Sequence, residues 1–407
     1  MKRVAILHYA SPPVVGGVEL TIAHHARSLA DLGYQVTIIS GRGGTFDPRI
    51  PTQVHPLLSS SASEVLLVKR ELDEGRRTPS FDRLVAQLVD ILGELLSGCD
   101  VLIAHNIHTL NKNLPLTAAL RRLNLPRVIA WCHDLAWTNE QYLPELHPGY
   151  PWELLRQAWP NTRYVTVSEP RRRELAQLLG LPEDAVEAVT GGVDVPGFLQ
   201  WTTQMRYIEE QLGLLSADVL LLLPARLTRR KNIGLALHVL AALRRQTGQD
   251  CRLIVSGPPG PHNPTNPGYL GELLSLRQKL GLQRSAHFLY ELEDPPLIPD
   301  DTTMANLYQI ADAMLFPSLQ EGFGLPILEA GLIGLPIFCS DLPPFRQTGQ
   351  DDVHFFDPVQ DSPESIAQKI AQELVNQARQ RLKARVRQRY RWDALIQTHL
   401  VPMLEAL

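Results

Sequence analysis

The feature that most limits how this chain can fold is an alternation. Short apolar runs of strand length, each closing on polar or glycine residues, are separated by segments of helix length. In the first half the runs are Val4 to His8, Gln35 to Ser40, 100–106 (DVLIAHN), 127–134 (RVIAWCHD), 163–170 (RYVTVSEP) and 185–194 (AVEAVTGGVD). Between them, Val18 to Leu32 reads as a helix closed by Gly33. In 81–98, Phe81, Leu84, Val85, Leu88, Ile91, Leu92 and Leu95 fall at helical spacing ahead of a glycine. Strands written as continuous apolar runs are buried on both faces, and helical crossovers between them make the sheet parallel.

The rhythm breaks at 195–215 and then restarts. Residues 219–227 form a strand followed by a helix from Asn232, which is available to cap it. Later strands are expected at 251–257, 286–291, 313–318, 336–341 and 353–358, with helices again from Pro363. The Pro- and Asn-rich insertion 258–269 is expected to be loop until about Gly268. A chain of 407 residues exceeds one ordinary core. The expected fold is therefore α/β: two doubly wound, Rossmann-like domains at 1–200 and 201–387. Residues 42–80 carry no readable pattern.

Composition removes several classes. A net charge of −4 argues against a dedicated nucleic-acid binder, which would carry a clustered basic stripe. Local arginine groups (Arg70, Arg76, Arg77; Arg121, Arg122; Arg171, Arg172, Arg173) read first as solvated helix faces, with contact to an anionic membrane surface as the alternative. No run reaches the ~18 apolar residues that span a bilayer, so any membrane contact is peripheral. Cys99, Cys132, Cys251 and Cys339 have no metal-like or paired spacing and suit a reducing cytoplasm; membrane contact there would be at the inner face.

In open parallel sheets ligands bind beyond the carboxyl ends of the strands, so the polar residues there are the ones to weigh. After the strand ending near 318 comes EGFGLPILEA, Glu321 to Ala330. Strand, glycine turn and helix form the arrangement in which free N–H groups at a helix start hold an anion. Phe323, Gly324 and Leu325 would supply the donors, and Pro326 sits in the first turn, where its missing N–H costs nothing. Glu329 would reach a sugar hydroxyl, and Glu321 would face the other end of the ligand. Two Glu at this spacing also arise by chance, as solvated ends of a loop. Arg226 and Lys231, beside the helix from Asn232, would bind a pyrophosphate; a solvated turn is the competing reading, and Arg229 and Arg230 are expected to be solvated.

Taken together, EGFGLPILEA and ARLTRRKN (225–232) closely resemble the signatures of the retaining glycosyltransferases of family 4, the glycogen synthase-like, group 1 enzymes with the GT-B fold. The resemblance spans nearly the whole chain. It implies two Rossmann-like domains facing across a cleft, the first on the acceptor side and the second on the nucleotide-sugar side, with terminal helices at 388–407 crossing back onto the first. It implies that Arg226 and Lys231 contact the donor diphosphate, that Glu329 binds the ribose, and that Glu321 with the Phe323–Leu325 N–H groups holds the hexose. IVSGPPG (254–260) resembles the glycine-rich strand end beside the nucleotide, giving Gly257 a donor-binding role, with Pro258 and Pro259 in place of more polar residues. FLYELED (288–294) resembles the segment flanking the base, with Leu292 as the contact. Gly16 and Gly17 match the N-terminal loop that approaches donor phosphates or acceptor. His133 matches a His-Asp pair near the donor hexose, although a lone histidine at a strand end also reads as structural.

The expected activity is transfer of a hexosyl unit, glucose or mannose, from a UDP- or GDP-linked sugar to an unidentified sugar, small-molecule or lipid-linked acceptor. No metal cofactor is expected, because fixed cations serve the diphosphate and no carboxylates cluster for Mg²⁺. Two routes to retention stay open: double displacement with Glu321 as nucleophile, and a front-face path in which a leaving phosphate oxygen takes the acceptor proton, which the resemblance favours. A phosphorylase, a sugar-nucleotide epimerase and a non-catalytic nucleotide-sugar binder are the alternatives.

Overall fold

A computed structural model of the chain describes residues 2–260 and 266–407. Residues 261–265, within the insertion expected to be loop, lie outside the described residues; the helix after it begins at Asn266, two residues before the expected Gly268. The chain divides into two compact units, Met1–Gly192 with Trp392–Leu407, and Val193–Arg391.

The first unit is built on a seven-stranded sheet in the order β3-β2-β1-β4-β5-β6-β7. Its strands are β1 (Arg3–His8), β2 (Gln35–Ser40), β3 (Thr52–Val54), β4 (Val101–His105), β5 (Val128–Cys132), β6 (Thr162–Thr166) and β7 (Val186–Ala188). Every neighbouring pair is parallel. Alternate residues of β1 feed two cores: Ala5 and Leu7 pack with the helix Pro79–Leu95, while Val4 and Ile6 pack with the helix Gly17–Asp31. The sheet is therefore covered on both faces, which is why its strands lack polar alternation. The unreadable segment 42–80 holds β3 and the helix Ser63–Asp73. An edge strand of three residues, two of them exposed, is too short to show any period.

The second unit has a six-stranded parallel sheet in the order β10-β9-β8-β11-β12-β13. Its strands are β8 (Val219–Leu223), β9 (Cys251–Val255), β10 (Ala286–Phe288), β11 (Ala313–Phe316), β12 (Ile337–Ser340) and β13 (His354–Phe356). In both sheets the first strand lies inside and the chain builds outward on one side before returning to the other. Each unit is thus doubly wound, as expected, with switch points between β1 and β4 and between β8 and β11. Among the described residues no helix is long and apolar enough to cross a membrane.

The unit boundary falls at 192/193, not at 200/201. The intervening segment belongs to the second unit through its backbone: Val193 N–H donates to Tyr390 O, and Leu199 O accepts from Asn306 Nδ2 at 3.2 Å. Val195 and Leu199 also pack on that unit's core. The return to the first unit starts at Trp392, not 388, because Gln388 Nε2 is held by Ala217 O at 3.2 Å and Asp218 Oδ1 at 3.1 Å. From there Trp392, Ile396, Leu400, Met403 and Leu404 join Ile22, Ala26 and Leu29 in one buried cluster.

The basic helix Ala378–Arg389 is structural. Arg387 is 3% exposed and pairs with the equally enclosed Asp312 at 2.8 Å, which also accepts the Leu220 N–H at 2.7 Å. Arg387 caps Ile310 O at 3.0 Å, Lys383 is bonded to Ala311 O, and Arg379 caps Ile333 O at 2.7 Å. These carbonyls close the helices Asp301–Ile310 and Leu325–Leu332, so cations from one helix satisfy the orphan ends of two others.

Candidate active site

The β8 and β9 ends of the second unit meet because of a glycine. A Cβ on Gly257 would lie 2.5 Å from Ala225 O and 2.7 Å from Arg226 N, both backbone atoms that cannot give way. With glycine there, its N–H donates to Ala225 O at 3.1 Å and Leu227 N–H reaches Pro258 O at 2.9 Å. Pro258 thus contributes a carbonyl to the loop pairing, a role proline can fill. Beyond these strand ends opens a cavity of about 440 Å³. Arg226, Ser256 and Gly257 line one wall; Met304 and Tyr308 of the helix Asp301–Ile310, and Glu329 of the helix Leu325–Leu332, line others. Arg226 is exposed, and its guanidinium has no hydrogen bond or ion pair among the described residues. Glu329 accepts the Tyr308 O–H at 2.6 Å. Burial and the neighbouring carboxylate push the Tyr308 phenol far above its usual value, so it remains the donor.

A second group forms where the β8 and β11 loops converge. Lys231 is buried, its ammonium 4.7 Å from the Phe316 ring centroid and hydrogen-bonded to Glu321 Oε1. Glu321 also accepts the Ser318 hydroxyl at 2.9 Å and an Arg230 N–H at 3.0 Å. Arg230 is therefore not simply solvated as expected: its head is half exposed, but it completes the carboxylate's shell. Arg229, exposed and paired with exposed Glu272, fits the expectation better. Burial alone would raise the Glu321 carboxyl; the Lys231 hydrogen bond and charge, with Ser318 and Arg230, outweigh it and hold the group below the usual carboxylate range. Burial is also the leading influence on the Lys231 ammonium, drawing it below its ordinary value against the pull of Glu321.

Gly324 begins the helix Leu325–Leu332 with φ +97°, and a Cβ there would sit 2.9 Å from the Phe345 ring. Conformation and space both demand glycine. Among the described residues the N–H groups of Phe323, Gly324 and Leu325 have no protein acceptor, and no side chain caps the helix. Asn232 departs from expectation. It precedes the helix Ile233–Thr247 in the left-handed conformation, φ +49°, and its side chain makes no cap hydrogen bond. Leu292 is not in the cavity wall; it packs, half-buried, against the hydrophobic core.

In the first unit, histidines occupy three strand ends. His133 follows β5, and its N–H and that of Asp134 donate to Asn106 Oδ1 at 2.7 and 3.2 Å. Its Nε2 is 3.0 Å from His105 Nδ1, while His8 Nδ1 is 2.9 Å from His105 O. Burial lowers His133 to about 4 and His25 to about 3, and takes His105 well below its usual value. Trp392 stacks on His24 with centroids 5.1 Å apart and meets His25 edge-on at 5.6 Å. Gly16 and Gly17 open the helix Gly17–Asp31. The Gly16 φ of −178° is ordinary extended backbone, and a Cβ on Gly17 would meet nothing within 4 Å. Among the described residues no contact requires glycine at Gly17, and at Gly16 only the movable Glu19 carboxylate lies close.

Residues 205–389 match the family described as glycosyl transferases group 1, and residues 15–195 match glycosyltransferase family 4. The chain belongs to the group 1, family 4 glycosyltransferases. It is 23% identical to the mannosylglucosylglycerate synthase of Thermotoga maritima, covering 84% of this chain and 82% of that one. It is 24% identical to the MMP α-(1→4)-mannosyltransferase of Mycolicibacterium hassiacum, over 83% and 80%. An uncharacterised glycosyltransferase of Methanocaldococcus jannaschii is 24% identical over 58% of each chain. Among solved structures, a sucrose-phosphate synthase of Thermosynechococcus elongatus aligns over 100% of both chains at 17% identity with a TM-score of 0.39.

Within this glycosyltransferase, Arg226, Gly257 and Glu329 come together at one cavity. Lys231 and Glu321 come together beside it in sequence, on the loops after β8 and β11. Gly16, Gly17 and His133 belong to the other unit. The residues that sequence reading passed over are the partners Tyr308, Ser318, Asn106, His105 and His8, and it left Arg230 to solvent. Ser318, His8, His105 and Asn106 stand at strand ends, where the rule applied to Arg226 would have found them. Tyr308 lies in the last turn of a helix and carried no such signal.

Proposed function

We propose that this glycosyltransferase moves a hexosyl unit from a nucleoside diphosphate sugar to an acceptor with retention at the anomeric carbon. The observation that carries the reading is the meeting of Arg226 and Glu329, far apart in sequence, in the wall of a single cavity at the strand ends. A cation and a carboxylate oxygen that have no hydrogen-bond partner among the described residues are what a diphosphate and a ribose diol require. Glu329 takes the ribose, Arg226 and Lys231 the diphosphate, and Glu321 with the Phe323–Leu325 N–H groups the hexose. Lys231 can serve both partners, since an ammonium has three donors and Glu321 uses one. Stabilising charge on the departing diphosphate is the dominant contribution, and fixed cations supply it without a metal.

The front-face route is favoured over attack by Glu321. Its oxygens already accept bonds from Lys231, Ser318 and Arg230, which lowers their basicity and makes them poor nucleophiles but leaves lone pairs for sugar hydroxyls. The names of two relatives make mannose and glucose the first hexoses to try. The test is to incubate the protein with UDP-, GDP- and ADP-linked glucose and mannose, following nucleoside diphosphate release with and without EDTA. One donor should be hydrolysed slowly without acceptor and unaffected by chelation, and product from an identified acceptor should keep the donor's anomeric configuration by proton NMR. Inversion, dependence on inorganic phosphate, isomerisation of the donor, or a covalent glycosyl-enzyme trapped at Glu321 would each overturn part of this reading.

A further inference from the structure

We propose that Tyr308 is a positioning residue for the nucleotide donor: its hydroxyl fixes Glu329 so that one carboxylate oxygen is left to read a ribose diol. This rests on the assignment of the cavity to the nucleotide. Tyr308 and Glu329 stand on different helices, Asp301–Ile310 and Leu325–Leu332, and both line the cavity. The phenol has one proton and gives it to Glu329 Oε2 at 2.6 Å. A phenol-to-carboxylate bond of that length is charge-assisted, and it is directional because the ring is locked: Tyr308 is 4% exposed and packs in the core.

Among the described residues Glu329 has no other side-chain hydrogen bond. It is an exposed side chain, and among the described residues Oε1 accepts no hydrogen bond. An unrestrained glutamate must give up several rotors on binding a ligand, and that loss weakens binding. With Oε2 pinned, most of the loss has already been taken in folding, and Oε1 remains as the acceptor. One carboxylate oxygen has two lone-pair sites: a ribose can fill both through its 2′ and 3′ hydroxyls, whereas a 2′-deoxyribose fills only one. Both helices are held at their carbonyl ends by the basic helix Ala378–Arg389, through Lys383 and Arg387 on one and Arg379 on the other. The tyrosine and glutamate are thereby carried on elements secured by a common strut.

The substitution Y308F keeps the ring and removes only the hydroxyl. Titration calorimetry with UDP, GDP and their 2′-deoxy counterparts should show the preferred ribonucleotide binding about three- to tenfold more weakly to Y308F, with the ribo-over-deoxy preference narrowed. The donor KM should rise by a similar factor while kcat stays within about twofold. E329Q should weaken binding as well, and Y308F added to E329Q should cause little further loss, since the tyrosine acts through the glutamate. Unchanged affinity and unchanged sugar preference in Y308F, with weakened binding in E329Q, would make Tyr308 a packing residue and overturn the proposal. If E329Q also bound nucleotide normally, the nucleotide assignment of the cavity would fall first.

Discussion

The Lys231 ammonium is hydrogen-bonded to Glu321 across 90 residues of sequence, joining the loop after β8 to the loop after β11 at the switch point of the second sheet. Two side chains expected to serve different ends of the donor are thus one charged unit before any ligand arrives. Lys231→Ala should remove a phosphate contact and also leave Glu321 short of its main partner. Transfer should fall by about 10²–10³ in kcat/KM, some 3–4 kcal/mol of transition-state stabilisation. Lys231→Arg should restore only part of it, because the slot beside Phe316 encloses a compact ammonium. Steady-state kinetics of both variants, with wild-type rates as the disproving result, checks the assignment.

Arg226 gives the cleaner separation of function from stability. It is exposed and has no hydrogen-bonding or ion-pairing side-chain partner among the described residues. Arg226→Ala should change folding stability by no more than about 0.5 kcal/mol. Its transferase activity should nonetheless drop by at least tenfold. A thermal melt and an activity assay on the same preparation decide this; full activity would remove Arg226 from the diphosphate.

Arg387→Met should have the opposite profile. The substitution strands Asp312, enclosed to the same degree, and takes the Arg387 donor from the carbonyls of Ile310 and Ala217, the latter keeping only Gln388 Nε2. Loss of one partner from such a pair costs about 3–5 kcal/mol. Urea denaturation should show the second unit destabilised by that order. A double change that also neutralises Asp312 should recover a substantial part of it, and failure to recover would argue against the ion pair as the source.

Acid should unsettle the first unit before it titrates ordinary carboxylates. His25, His105 and His133 are kept neutral by burial, with His133 near 4 and His25 near 3, whereas each takes up a proton near 6.5 in the unfolded chain. Below 6.5 the unfolded state binds more protons than the folded one, so this share of stability is complete above 6.5 and is lost as pH falls. Each ring should contribute a loss of about 2 kcal/mol by pH 5. Denaturation midpoints at pH 7 and pH 5, followed by a first-unit tryptophan, test this, and His25→Gln should flatten the slope. A midpoint independent of pH would contradict the burial argument.

Strand positions were legible because an apolar run buried on both faces has no polar alternation to disguise it, and strand-end chemistry pointed to Arg226 and Lys231. What could not be read depended on which elements lie side by side. Tyr308 becomes a partner of Glu329 only when two helices, each unremarkable in sequence, flank one cavity. Asn232 has the side chain of a cap, yet it closes the turn Arg229–Lys231 in left-handed backbone and makes no cap hydrogen bond to the helix that follows. The unit boundary was misplaced because Val193 to Leu199 is fastened through main-chain bonds, which residue types do not encode. Gly257 and Gly324 could be noticed as glycines, but the reasons they must be glycine lie in Ala225 and Phe345.

The chain leaves the first unit after Gly192 and rejoins it only at Trp392. During synthesis the whole of the second unit therefore emerges while the seven-stranded sheet still lacks part of one covering layer. Until the tail appears, Ile22, Ala26 and Leu29 on the helix Gly17–Asp31 have no Ile396, Leu400 or Leu404 to cover them. A nascent or clipped chain ending before Trp392 thus shows water a sticky stripe beside His24 and His25, open to proteases and to aggregation. The first part of the molecule to be made is among the last to be finished.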